Sequence, residues 1–147
     1  TLWRSAHVFG AVGIFTIGKR YQRQASDTSR AWKSIPLLHF NDFDCFYTNM
    51  PTDTRLVGVE FGSSAKSIEL FHHPERVVYL LGAEDHGLTK KALGKCHYLV
   101  QIPGTICLNV SVAGSIVMYD RVIKEMRGQE GCESVRAPNG WGLGYEN

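Results

Sequence analysis

A chain of 147 residues, 44% of them hydrophobic, is the size of one domain and carries enough apolar side chain to bury a core. The formal net charge of +2 is only mildly basic, so overall charge neither demands nor excludes a nucleic-acid partner. No run approaches the length of a membrane span, and the opening Thr1-Leu2-Trp3-Arg4-Ser5 lacks the charged-then-apolar layout of a signal peptide, which leads us to expect an intracellular, cytoplasmic protein. The first residue is not Met, and we expect chain upstream of Thr1 to be missing or processed away.

In chain order, Leu2, Ala6 and Phe9 are spaced to share a helix face, and Gly10 is a natural stop, so the first helix is predicted over Thr1 to Phe9. Val12 to Ile17 is a β-rich run ending at Gly18. The polar stretch from Lys19 to Arg30 reads as a basic surface loop, with Tyr21 among its cations and Trp32 just after it. Ile35 to Phe40 can form a strand, Asp42 to Tyr47 a short helix, and Leu56 to Phe61 a buried strand. Two continuous apolar runs follow, Val77 to Leu81 stopping at Gly82, and Tyr98 to Ile102 stopping at Pro103; both are predicted to be central parallel strands. A short crossover helix lies between them at Thr89 to Leu93, and a long final helix runs from Asn109 to Met126. This alternation defines an α/β domain with a largely parallel sheet flanked by helices. Residues 128–147 are rich in glycine and poor in aliphatic side chains, and are expected to form a loose tail.

Cys45, Cys96, Cys107 and Cys132 are far apart and show no paired Cys or His spacing, which predicts free, reduced thiols and no metal site. In open α/β sheets ligands collect at the carboxyl ends of parallel strands, which draws attention to the exits Gly82 to Leu88 and Ile102 to Asn109. Taken by spacing alone, Gly82 and Gly87 are equally well turn residues and Asn109 equally well the cap of the last helix.

Read together, Leu80-Leu81-Gly82-Ala83-Glu84-Asp85-His86-Gly87-Leu88, then Ile102-Pro103 and Leu108-Asn109-Val110-Ser111-Val112-Ala113, closely resemble the second and third motifs of SpoU/TrmH-type RNA methyltransferases of the SPOUT superfamily. Arg4-Ser5-Ala6-His7-Val8-Phe9-Gly10 is similar to the end of that family's first motif. The chain departs from the pattern twice. The Asn that opens the first motif would fall before Thr1, and the loop Pro103 to Leu108 is shorter than in many relatives.

The resemblance covers residues 1–127 and implies a methyltransferase domain there, lacking its N-terminal strand, with a deep trefoil knot over about Val77 to Met126. The implied activity is S-adenosylmethionine-dependent methylation of a ribose 2′-hydroxyl in transfer or ribosomal RNA, by a homodimer whose partners share each site. The absence of a Gly-x-Gly-x-x-Gly loop after the first strand suits a cofactor bound in the knot rather than along a dinucleotide crevice. Carried over by position, the cofactor contacts are Val59, Glu60, Gly82, Ala83, Ile102 and Leu108, and the catalytic residues Arg4, Glu84, Asn109 and Ser111. Family accounts make the arginine the base, whereas a guanidinium stays protonated and suits holding a phosphate and polarising the hydroxyl; the sequence leaves both open. Glu84 fits an organiser of the loop, and Asn109 and Ser111 fit either helix caps or orienting groups. The cations of Lys19 to Lys33 could neutralise phosphates, and Tyr21 and Trp32 could stack on unpaired bases. Two other readings compete. A SPOUT-like RNA-binding protein without turnover would keep the fold, and a general α/β nucleotide-binding protein would need a phosphate-cradling glycine loop that is absent.

Overall fold

The computed structural model describes residues 1–18 and 30–128. Residues 19–29 of the basic loop, Tyr21 included, the side chain of Trp32 and the tail after Gly128 with Cys132 lie outside the described residues.

The described residues form, in chain order, α1 (Leu2–Val8), β1 (Ile14–Ile17), β2 (Leu37–Phe40), α2 (Phe43–Thr48), β3 (Arg55–Val59), β4 (Lys66–Ser67), β5 (Val77–Leu81), α3 (Lys90–Lys95), β6 (Tyr98–Gln101) and α4 (Val110–Gly128). Among the described residues every pairing of these strands is parallel, as expected of an α/β domain in which helices carry crossovers. The strands form two sheets rather than one: β1 pairs β2, and a separate four-stranded sheet runs in the order β4, β6, β3, β5.

Local chemistry sets the element ends. Asp42 caps α2 by accepting from the Cys45 amide at 2.8 Å, and Thr89 caps α3 by accepting from the Ala92 amide at 3.2 Å. The first strand starts two residues later than the apolar run suggests, because Val12 is 93% exposed and the ladder begins with the Ile14 amide bonding the Pro36 carbonyl. The second starts at Leu37 because Ile35 still belongs to the 3₁₀ turn at Ala31–Lys33, its amide bonding the Ala31 carbonyl.

β3 and β6 are the inner strands, and β5 is an edge strand among the described residues, not the central one its apolar run suggests. All five of its residues are only partly buried, since α4 covers it without a further strand beyond it. The core gathers Val57, Ile68, Phe71, Val100 and Val117. A second apolar cluster stacks Phe15, Phe40 and Phe46 between the small sheet and α2, with ring centroids 5.6–5.9 Å apart.

Two features fix α4. At its middle, Gly114 leaves a notch in which the Leu2 side chain of α1 sits: a Cβ there would lie 2.5 Å from Leu2 Cδ1 and 2.9 Å from Leu81 Cδ1. Nearby, Ser115 Oγ bonds Ser5 Oγ at 2.7 Å. Further along, the His73 side chain, only 3% exposed, bridges Tyr79 of β5 (2.6 Å) and Asp120 of α4 (2.7 Å). A carboxylate only accepts, so Nε2 carries the ring proton toward Asp120 and Nδ1 accepts from the Tyr79 hydroxyl. Lys124 joins the same segment to the helix through the carbonyls of Ile68 and Phe71 and its ion pair with Asp120, and Arg121 bonds the Pro74 and Glu75 carbonyls. Burial pushes the Tyr79 hydroxyl up to about 12.

Burial also pushes the His73 imidazole down; the hydrogen bond and charge of Asp120 oppose this, while Lys124 and Arg121 add to it. The unfolded chain therefore binds this proton more readily than the folded one. The stability from the neutral ring is present above the ordinary value of 6.5 and is lost as pH falls through 6.5 toward the depressed folded value. The thermal midpoint of the wild type is expected to fall more steeply between about pH 7.5 and about pH 5.5 than that of His73→Gln. Equal slopes in the two proteins would remove His73 from the acid response.

No described helix is long and apolar enough to cross a membrane.

Candidate functional site

Because β3, β5 and β6 are parallel neighbours, their carboxyl ends open on the same side of the sheet. Between the segments that leave them lies a cavity of about 520 Å³, within the range of small-molecule sites. One wall is the exit of β5. Here the chain folds straight back, with Ala83 and Gly87 exchanging backbone hydrogen bonds at 3.2 and 2.9 Å around a tip of Glu84, Asp85 and His86. Only glycine fits at its base. A Cβ on Gly82 would lie 2.3 Å from the Gly87 carbonyl carbon and 2.6 Å from both the Gly87 Cα and the Leu88 nitrogen. Gly87 itself has φ +65°, the left-handed region that side chains other than glycine rarely occupy.

Glu60, at the end of β3, braces this hairpin. Its Oε2 accepts from the Leu88 amide at 2.7 Å and its Oε1 from the Phe61 amide at 3.2 Å. The carboxylate is thus spent on backbone donors, and what Glu60 offers a ligand is the wall it holds in place. The facing wall is the loop from Ile102 to Leu108, in which Ile106 and Leu108 are exposed. Asn109 ties the walls together: its Nδ2 donates to Glu84 Oε1 at 2.8 Å while its Oδ1 accepts from the Ser111 amide at 2.9 Å, capping α4.

All six residues expected to contact a cofactor, Val59, Glu60, Gly82, Ala83, Ile102 and Leu108, line the cavity, and so does Glu84. Asn109 adjoins it through Glu84. Ser111 is held by the cap at its amide, and its carbonyl accepts from Ser115. Arg4 is not brought to the cavity wall; it lies on the exposed side of α1, next to the Ser5 that bonds α4. Asp85 and His86, which lie within the motif but carry no role by the resemblance, also line the cavity. Cys107, signalled only by its place between the apolar run of β6 and Asn109, lines it too. Cys45, Cys96 and Cys107 are free thiols, and no group of three or more His, Cys, Asp or Glu is placed to hold a metal among the described residues.

The walls suit a nucleoside carrying positive charge. Val59, Leu81, Ile102 and Leu108 offer apolar surface for a flat base, the loop backbones offer donors and acceptors for its edge, and Glu84 and Asp85 place carboxylates at the rim.

The described residues thus form an α/β domain with a cavity at the exits of three parallel strands, the place where open parallel sheets collect ligands. The chain belongs to the SpoU rRNA methylase family, whose model matches residues 1–119. No curated protein sequence matches it significantly. Among solved structures it is similar to the SpoU methyltransferase AviRb from Streptomyces viridochromogenes, with TM-score 0.72 and 21% identity over 86% of this chain and 54% of that one. It is also similar to an AdoMet-bound rRNA methyltransferase from Sinorhizobium meliloti, with TM-score 0.69 and 22% identity over 84% of this chain and 50% of that one. A third, from a structure addressing 2-OH methylation of C/U34 on tRNA, has TM-score 0.63 and 20% identity, covering 86% of this chain and 90% of its own. At these identities the likeness is one of fold. The chain spans about half the length of the first two.

Proposed function

We propose that this chain is the catalytic domain of an RNA methyltransferase that uses S-adenosylmethionine to methylate a ribose 2′-hydroxyl of transfer or ribosomal RNA. The observation that carries the reading is the cavity at the exits of β3, β5 and β6, lined by every residue that the family resemblance assigns to the cofactor. The AdoMet-bound and tRNA-directed structures of similar fold support the methyl donor and the ribose target. The deep knot implied over Val77 to Met126 belongs to the same proposal and is supported by the all-parallel sheet and the likeness of fold.

When bound, the cofactor supplies a methyl group activated by a sulfonium. The chain's residues position and enclose. Val59, Ile102 and Leu108 exclude water from the base, and the Gly82 hairpin presents backbone groups at close range. Asn109 holds Glu84 at the rim and with it the spacing of the two walls. Arg4 holds the acceptor's phosphate.

Titration calorimetry with S-adenosylmethionine, with ATP as control, tests the reading. We expect a dissociation constant on the order of micromolar for the methyl donor and no heat from ATP. A folded protein silent toward the donor would instead be a non-catalytic RNA binder.

The functional unit in this proposal is a homodimer. Val8 of α1 with Val112 and Tyr119 of α4 leave apolar surface exposed, with Tyr119 packed edge-on against Phe9 at 6.0 Å. Val117 of the same helix points into the core. Sedimentation is expected to show a dimer that persists on dilution to about micromolar concentration; a monomer there would rule out sites shared across the interface.

A further inference from the structure

The loop that leaves β3 is pinned at several points. The Glu60 amide donates to the Val100 carbonyl at 3.0 Å, and the Phe61 amide to Glu60 Oε1 at 3.2 Å. Gln101 of β6 holds the rest with both ends of its side-chain amide: Oε1 accepts from the Gly62 amide at 3.4 Å, and Nε2 donates to the Ala65 carbonyl at 3.2 Å. The Ala65 amide then donates back to the Gly62 carbonyl at 3.1 Å. Ordering a loop costs conformational entropy, and here it keeps one bulky side chain in the open, since Gly62, Ser63, Ser64 and Ala65 are small. Phe61 lines the cavity and is 46% exposed. Phe9, Phe15, Phe40, Phe43, Phe46 and Phe71 each pack against another ring, whereas Phe61 has no ring partner among the described residues. A lone exposed phenylalanine needs no explanation on an open surface; on a pinned loop in a cavity wall it does.

We propose that Phe61 is the aromatic face on which the adenine of S-adenosylmethionine stacks, and that Gln101 is the positioning residue that holds it there. The inference rests on the methyltransferase reading above and adds two residues of this chain to its donor site. Val59, Ile102 and Leu108 are aliphatic; they shield a base from water but offer it no π face. Phe61 supplies one, and ring stacking favours a flat heterocycle over a saturated group of similar size. Charge sets which end of the donor meets the ring. Glu84 and Asp85 on the hairpin suit the cationic sulfonium and ammonium, while Glu60, beside Phe61, is spent on backbone amides and leaves the uncharged base for the ring.

Titration calorimetry on the full chain tests this, with S-adenosylmethionine and with 5′-methylthioadenosine, which carries the adenine without the amino-acid arm. A folded wild type silent toward the donor overturns the methyltransferase reading, and this inference with it. Given wild-type binding, F61A is expected to weaken both ligands by the same factor, about 10-fold or more, with little change in thermal midpoint, and F61W to keep both within about threefold. Q101L is expected to weaken the donor about fivefold in the wild-type background and no further in F61A, because a residue that acts through the ring has nothing to act on once the ring is gone. Three results would overturn the stacking role while leaving the methyltransferase reading intact: F61A binding both ligands within about threefold of wild type, F61A losing the donor but keeping 5′-methylthioadenosine, or a wild type that binds the donor alone. Losses that add in the double variant would remove Gln101 from the donor site.

Discussion

Gly82→Ala is expected to abolish productive binding of S-adenosylmethionine while leaving a folded protein. The added methyl would sit 2.3 Å from the Gly87 carbonyl carbon and 2.6 Å from two further backbone atoms. No rotamer change relieves a clash between a Cβ and main chain, so the hairpin itself must swing. That motion strains the Ala83–Gly87 backbone pair and the Leu88 amide's bond to Glu60, and it carries Glu84 away from Asn109. Because Gly82, Ala83 and Glu84 all line the cavity, its shape is lost with them. We expect affinity to fall by about 100-fold or more, equivalent to roughly 2.7 kcal/mol, with overpacking also costing about 1–3 kcal/mol of stability. Calorimetry beside thermal denaturation separates the two effects. Donor affinity within about threefold of wild type would show that the cavity does not depend on the hairpin.

Arg4→Ala is expected to do the opposite: abolish transfer and spare the cofactor. Arg4 is absent from the cavity wall, so its removal takes no contact from a ligand seated between the two loops. Its proposed task is to hold the RNA phosphate, and arginines that meet charge in phosphate chemistry are worth about 10³–10⁵ in rate. We expect turnover to fall by about 10³-fold or more, with donor affinity changed by less than about threefold. Arg4→Lys is expected to restore little, since an ammonium lacks the planar fork that grips a phosphate through two hydrogen bonds. Parallel loss of binding and turnover in Arg4→Ala would sink this division of labour.

Much of the fold was legible because it is local. The caps at Asp42 and Thr89 and the apolar runs of β5 and β6 are written in neighbouring residues. β4 escaped because Lys66 and Ser67 are too few to show a period. The place of β5 at the edge was misread because an apolar run is the same whether strands or a helix cover it; which applies depends on α4, some thirty residues away. The cavity's walls could be anticipated from glycines after strands, and the family motifs gave the lining residues their numbers. The brace was not legible. Nothing around Glu60 announces that its carboxylate will accept from Leu88, and nothing near His73 names Tyr79 and Asp120 as partners.

The notch at Gly114 couples two regions that share no residue. Leu2 rests in it, and Arg4 is two positions further along the same short helix, so the height at which α1 rides on α4 sets where the arginine's backbone stands. The same missing side chain also receives Leu81, the last residue of β5 before the hairpin. One absent methyl thereby sets the separation between the helix that carries Arg4 and the strand that leads into the hairpin. A position on α4 that itself lies outside the cavity lining thus governs the spacing of two elements beside it.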